Sequence, residues 1–434
     1  MRSVGVALLV LLGAAAQAQP IANCESHDPA TALSGCQDVI ADAANLGADQ
    51  FEAHYNLALA ELARNDAGGA QDDASQAIAL NPANSRAYVV RGEAEAAQGD
   101  KDAALADFSH AIALLPTSAL AYESRAKLSL QGQGFAAALA DARTATTLAP
   151  RDAEAWTQRA MAEEALGQAP NAVADATRAI ALAPNDARAY LPRAQAGLDL
   201  GQWATVVDDA SRIIALNNDT PRTLYFAYLQ RGFAERRLER PGDTVRDETA
   251  ALSITTALPA PYAERAFAED DLKDYAAAIA DFTAALNLSP QDDTLYFSRA
   301  EDEGNLHQYA GAIADMGAAL RLQPGDEGAW NDRCWFRAIS GDAADALPDC
   351  QHALKLNPHD AAALDSLGFV QLKLHAYAAA VTAYGAALKT DPTMASSHYG
   401  RALAEQALGQ SAPAQADMAA AIKLDAGIAT DFGT

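Results

Sequence analysis

Eight prolines fall on two ladders with one spacing. Pro82, Pro116, Pro150 and Pro184 lie 34 residues apart, and so do Pro290, Pro324, Pro358 and Pro392. A fixed period of that length marks a repeat array, in which each unit buries its apolar face only by stacking on its neighbours. The two ladders are 106 residues apart, three periods plus four. Asn218 takes the next proline slot, four residues are inserted near Pro221 to Leu224, and Thr256 takes the slot after that. One lattice of eleven units therefore spans residues 51–428 and leaves little room for a separate catalytic domain.

With the proline slot numbered 32, the units are 51–84, 85–118, 119–152, 153–186, 187–220, 225–258, 259–292, 293–326, 327–360, 361–394 and 395–428. Position 4 is aromatic in most units, as at Tyr88, Trp156 and Trp330, and position 8 is small, as at Ala58, Gly92 and Cys334. Position 20 is alanine except at Val206 and Thr244, and position 27 is alanine except at Ile213. Gly99, Gly167, Gly201, Gly341 and Gly409 recur at position 15. Apolar residues at spacings of three and four in each half predict two helices. Glycine at 15 permits the left-handed backbone that ends the first helix. Proline at 32 cannot continue the second. Small residues at 8, 20 and 27 let two backbones approach, and the ring at 4 fills the gap between hairpins.

This pattern resembles the tetratricopeptide repeat family, as an exported bacterial member. The resemblance covers about nine-tenths of the chain. It implies an all-α solenoid of eleven helical hairpins in a right-handed superhelix, and a protein that binds other proteins without catalysis. Aromatic residues at position 24, usual in the family, occur only at Phe108, Phe282 and Tyr384.

The family usually has leucine at position 7, but this chain has arginine there nine times and aspartate at position 23 ten times. The unit with Leu367 at 7 also has Ala383 at 23. Paired loss predicts an Arg–Asp ion pair within each hairpin that fixes register. Leu57 would leave Asp73 without a partner in its own hairpin. Pairing between adjacent hairpins would join Arg91 to Asp73 and strand Asp349 and Arg401, and remains open from sequence.

Residues 1–18 stand apart from the array. Arg2, an apolar run to Ala16 and the Ala16-Gln17-Ala18 site predict a secretory signal peptide, with the mature chain starting at Gln19 in the periplasm. Asn23 before Cys24 does not suit a lipid-modified cysteine. In an exported chain the four cysteines are expected to pair locally, Cys24 with Cys36 and Cys334 with Cys350. A metal site or redox pair is the rival reading, and no Cys-x-x-Cys supports it. Residues 19–50 read as an N-terminal cap, mainly helical from Asp28 to Asp49, with Val39, Ile40 and Ala43 on the second helix of a degenerate hairpin. Residues 429–434 form a tail that leaves the last hairpin without a full cap, so weak end-to-end self-association is expected.

Lysine and arginine number 31 against 57 aspartates and glutamates, and losing Arg2 with the signal takes the net charge from −26 to −27. That excludes nucleic acid, which needs clustered positive charge. No segment after the signal offers the ~20 unbroken apolar residues of a membrane span. No nucleophile–base set, phosphate loop or metal-ligand spacing occurs, so no cofactor or catalytic residue is assigned.

In the tetratricopeptide architecture, positions 2, 5, 9, 12 and 13 of the first helix line the concave groove. In the second half of this chain they carry Phe226, Phe233, Phe267, Phe297, Trp335, Phe369 and Tyr399. In the first half they are mostly small or polar, as at Glu93, Ala96, Glu123 and Gln131. Exposed aromatic patches mark contact sites, and packing of these rings between helices is the competing explanation. The expectation is a protein-interaction scaffold of the envelope that binds a peptide segment or protein through those seven rings. The alternative is an accessory subunit of an envelope enzyme, or an enzyme with an unrecognised site.

Overall fold

Position 15 decides how each period folds. In all eleven units its backbone is left-handed, and only five of those residues are glycine, with φ from 66° to 102°. The other six are Asn65, Gln133, Glu239, Lys273, His307 and His375, with φ from 58° to 62°. A side chain in that region costs about 1 kcal/mol, so packing of the two helices overrides local preference at six turns. The other end of the period has its own device. Asn84, Ser118, Asp152, Asp186, Asp292, Asp326 and Asp360, all at position 34, accept a backbone N–H from the helix that follows.

A computed structural model describes residues 22–42, 47–216 and 220–432. The expected signal peptide, Ala43, Asn218 and the last two residues lie outside these. The chain divides into two compact units, residues 1–220 and 221–434. All regular structure in the described residues is helical.

In the first unit, α1 (Pro29–Ala41) leads into the hairpins α2–α3 (Gly47–Ala63, Ala67–Leu80), α4–α5 (Ser85–Gln98, Lys101–Leu114), α6–α7 (Ala119–Gln131, Phe135–Leu148), α8–α9 (Ala153–Ala165, Ala169–Leu182) and α10–α11 (Tyr190–Asp199, Trp203–Leu216). Residues 28–49, expected to be mainly helical, hold α1 and the start of a second helix. Asp28 caps α1 through Thr31, and Asp42 turns extended with ψ 107°. Helix α2 then begins at Gly47, one turn before the first repeat position. Cys24, Cys36 and Val39 pack on Ala53 and Leu57, so α1 covers the first hairpin.

In the second unit the hairpins are α12–α13 (Pro221–Arg237, Pro241–Ile254), α14–α15 (Ala260–Asp271, Tyr275–Leu288), α16–α17 (Asp293–Asn305, Tyr309–Leu322), α18–α19 (Glu327–Ser340, Ala343–Leu356), α20–α21 (Ala361–Lys373, Tyr377–Thr390) and α22–α23 (Ala395–Ala407, Ser411–Leu424), followed by α24 (Ile428–Asp431). The inserted residues Pro221 to Leu224 add one turn to α12. The last hairpin is less open than the sequence suggests. Phe432 packs on Phe369 and Tyr399, with ring centroids 5.4 and 5.0 Å away.

Positions 8 and 24 meet inside the hairpin. A methyl group on Gly92 would lie 2.7 Å from Phe108, and one on Gly368 would lie 2.7 Å from Tyr384. Glycine thus makes room for Phe108 and Tyr384, whereas Phe282 packs against Ala266. The fourth hairpin of the second unit fills the same contact with Cys334 and Cys350, a disulfide-compatible pair with Cα atoms 5.4 Å apart. Cys24 and Cys36 form another such pair, at 4.4 Å.

Candidate protein-binding face

The Arg–Asp ladder runs within hairpins. Arg91 to Asp107, Arg193 to Asp209 and Arg299 to Asp315 are each 2.6 Å apart, and the other six pairs repeat the arrangement. Each guanidinium donates through Nε and Nη2 to both carboxylate oxygens, a bidentate pair. Its Nη1 reaches back to the preceding hairpin in several units, as from Arg125 to Ser109 and from Arg299 to Thr283. The face of the guanidinium lies 4.2 Å from the Trp156 ring at Arg159, and 4.7–5.9 Å from the position-4 ring in six further units. With donors and face both occupied, this ladder sets register. Asp73 is not alone as the sequence suggests, since His54 Nδ1 lies 2.6 Å from its carboxylate.

A second ladder escaped sequence reading. Glu61, Glu95, Glu163, Glu235, Glu269, Glu303 and Glu405 stand at position 11, one turn beyond the arginine position, and each leaves Oε2 buried without a hydrogen-bond partner. Burial first, and then the position-23 aspartate, push Glu61, Glu163, Glu235, Glu269 and Glu303 up to about 7. A buried carboxyl against a carboxylate is comfortable only while it holds its proton.

First helices of successive hairpins approach one another, as α18 does α20 and α20 does α22, while second helices make no comparable approach. The first helices therefore form a continuous face in the first unit, and in the second unit α18, α20 and α22 do the same. In the first unit this face holds a pocket of about 340 Å³ bounded by Glu93, Phe108, Ser124, Lys127 and Leu128. Ser124 donates to Glu93 across it at 2.9 Å. Glu123 is pushed up to about 8, by burial first and then by Asp152.

In the second unit the predicted contact rings differ in exposure. Phe226 is 42 % exposed. Phe233, Phe267, Phe297, Trp335 and Tyr399 are half-buried. Phe267 meets Phe282 edge-on at 5.1 Å, and Trp335 lies 5.0 Å from Phe369. Phe369 departs from expectation: it is 1 % exposed. Trp335, Phe432 and the Lys373 ammonium, 4.8 Å above its ring, close over it. It is a core residue of the last hairpins. The half-buried rings are also partly core, because Phe267, Phe297 and Trp335 pack on the clusters around Phe282, Met316 and Cys334.

Among the described residues, no group of three or more histidine, cysteine, aspartate or glutamate side chains is arranged to hold a metal ion. No described helix is long and apolar enough to cross a membrane.

One tetratricopeptide repeat family model matches residues 41–119 and another matches residues 261–292. Those two stretches are thus tetratricopeptide repeats, and the helical hairpin recurs in every period. Comparison with curated proteins gives no match. Similar solved structures include YrrB, described as a tetratricopeptide repeat protein with an unusual peptide-binding site. It is 20% identical over 41% of this chain and 92% of its own, with a TM-score of 0.35. The Cut9–Hcn1 hetero-tetramer of the APC/C gives 15% identity over 93% of this chain and 92% of that one, with a TM-score of 0.41. Pseudomonas aeruginosa pilF gives 12% identity over 48% and 93%, with a TM-score of 0.44. Proteins of this family bind protein partners.

Proposed function

We propose that the chain is a non-catalytic interaction scaffold, exported to the periplasm or cell envelope. In this reading it binds a protein segment on the first-helix face of its second unit. The observation that carries it is the run of half-exposed rings Phe226, Phe233, Phe267, Phe297, Trp335 and Tyr399 along one face. Aromatic anchors on a rigid helical surface supply binding energy at low entropic cost. Phe369, being core, supports its neighbours and is not a contact residue. The N-terminal apolar run with its small-residue cleavage site supports export.

Affinity capture with the mature chain from envelope extract tests the reading. Phe297→Ala with Trp335→Ala should lose the retained partner while keeping the helical signal and melting midpoint. Glu93→Gln with Glu123→Gln in the first unit should keep it. Retention by the aromatic variant together with loss by the acidic one would place binding elsewhere. N-terminal sequencing of the cell-borne protein should begin at Gln19, and a chain beginning at Met1 would refute export.

A further inference from the structure

Position 9 of the first helix carries a ring four times in the second unit, at Phe233, Phe267, Trp335 and Phe369. Three of these rings bear a cation from the chain itself. Arg237 lies 4.9 Å from Phe233, Arg236 5.0 Å from Phe267 and Lys373 4.8 Å from Phe369. Among the described residues Trp335, the best cation-binding ring type of the set, has none.

The Arg236 arrangement is the most complete. Its Nε lies 3.1 Å from Glu264 and its Nη1 3.9 Å from Asp271, with the Phe267 ring beneath. Those parts occupy position 12 of one hairpin and positions 6, 9 and 13 of the next. Two hairpins on, the same positions hold Gly304, Asp332, Trp335 and Ile339. The carboxylate at 6 and the ring at 9 are kept, and the arginine is replaced by glycine. A pocket of about 350 Å³ opens there, lined by Glu301, Gly304, Asn305, Asp332, Trp335 and Phe336.

The charge of this pocket is uncompensated. Burial first, and then Glu301, push Asp332 up to about 6, while burial and Asp270 raise Glu301. Next to Glu301 in the chain and outside the lining, Asp302 is 1 % exposed, and its Oδ2 has no hydrogen-bond partner. No lysine or arginine lines the pocket; His307 does, with Nδ1 held 2.6 Å from the Tyr309 hydroxyl. The backbone agrees. Helix α16 stands back from α14 and α18, whereas α18, α20 and α22 approach one another closely. Position 10 is alanine at Ala234, Ala268 and Ala404, and the larger Asp302 and Phe336 take it here.

Building on the protein-binding reading of this face, we propose that the pocket at Trp335 receives an arginine side chain from the partner segment. Its guanidinium lies over the indole and pairs with Asp332 and Glu301, as Arg236 does with Phe267, Glu264 and Asp271. Apolar neighbours of that arginine rest on Phe297, which packs in the same cluster as Trp335. The planar guanidinium suits both a ring face and a carboxylate, which an ammonium does less well.

Two pools of synthetic peptides, each about nine residues long, test this. One has a fixed central arginine and the other a fixed central citrulline, its uncharged isostere, with flanks drawn from Leu, Phe, Ala and Ser. The full mature chain is immobilised, retained peptides are read by mass spectrometry, and the best arginine peptide is titrated by fluorescence anisotropy. The arginine pool should be retained. Its best member should weaken by about 10-fold or more on citrulline replacement and on Asp332→Asn, the size of a lost charge-assisted hydrogen bond. Glu123→Gln in the first unit should leave it unchanged. Equal retention of both pools overturns the arginine assignment, and if Trp335→Leu or Trp335→Phe abolishes both, the protein-binding face still stands. Equal weakening by Asp332→Asn and Glu123→Gln overturns it in favour of diffuse attraction by an acidic chain. An arginine pool that is not retained overturns it as well. Should Asp332→Asn fail to fold, the citrulline comparison on the unaltered chain decides.

Discussion

Replacing Glu235 by glutamine should make the array more stable at alkaline pH and change little at acidic pH. Glu235 is 5 % exposed, with one carboxyl oxygen unpartnered. Asp247 faces it from α13, paired to Arg231 at 2.6 Å. Burial, and then Asp247, push Glu235 from 4.5 to about 7. The folded state keeps this proton between pH 4.5 and about 7, where the unfolded chain has released it. The stability tied to the proton is complete below pH 4.5 and gone once the pH has passed 7. Holding the proton from pH 4.5 up to about 7 corresponds to about 3 kcal/mol, reduced to ~2 kcal/mol by partial solvent screening. Glutamine keeps the shape, offers Asp247 an N–H and has no proton to lose. Urea unfolding followed by circular dichroism should therefore give near-equal midpoints at about pH 5. At about pH 8 the variant should be ahead by ~2 kcal/mol. Repeat arrays unfold by neighbouring units, so hydrogen exchange in α12 and α13 should carry the same difference. An offset that is the same at both pH values, or a variant less stable at pH 8, would refute the retained-proton account.

Gly92→Ala should lose about 1–3 kcal/mol by urea midpoint, because its methyl would meet Phe108 at 2.7 Å. Gly242→Ala, with nothing within 4 Å, should gain at most about 1 kcal/mol. Arg193→Met strands Asp209, whose side chain is 1 % exposed, and should cost about 3 kcal/mol, whereas Arg246→Ala on an exposed pair should cost under about 0.5. Non-reduced peptide mapping should link Cys334 to Cys350, and Cys334→Ala with Cys350→Ala should cost about 3 kcal/mol for a loop of that length. Free thiols in protein purified without reductant would contradict the link.

The proline ladder, the small residues at 8, 20 and 27 and the paired loss at Leu367 and Ala383 are enough to derive the hairpin, its repeat and its internal ion pair. Each is a statement about residues close in sequence or equivalent across periods, and helical geometry turns such spacing directly into contact. Fold class was legible for that reason. The glutamates at position 11 were also visible as a column, and aligning position 10 would have set Asp302 and Phe336 apart from the alanines. What that column does could not be read, because an ordinary surface glutamate and a buried one holding its proton look alike in a string.

Exposure and pairing across hairpins belong to the tertiary structure. Phe369 and Phe267 occupy the same repeat position, yet Phe369 is sealed by Trp335, Lys373 and Phe432 while Phe267 keeps part of its surface. His54 takes the place of the absent arginine at Asp73 because a position-4 side chain and a position-23 side chain face each other across one hairpin. The pocket at Trp335 arises because Gly304, Asp332 and Trp335 come from two hairpins whose first helices stand apart. A periodic sequence says which residues are equivalent. Which of them are covered depends on side chains one or two hairpins away, and only packing in three dimensions sets that.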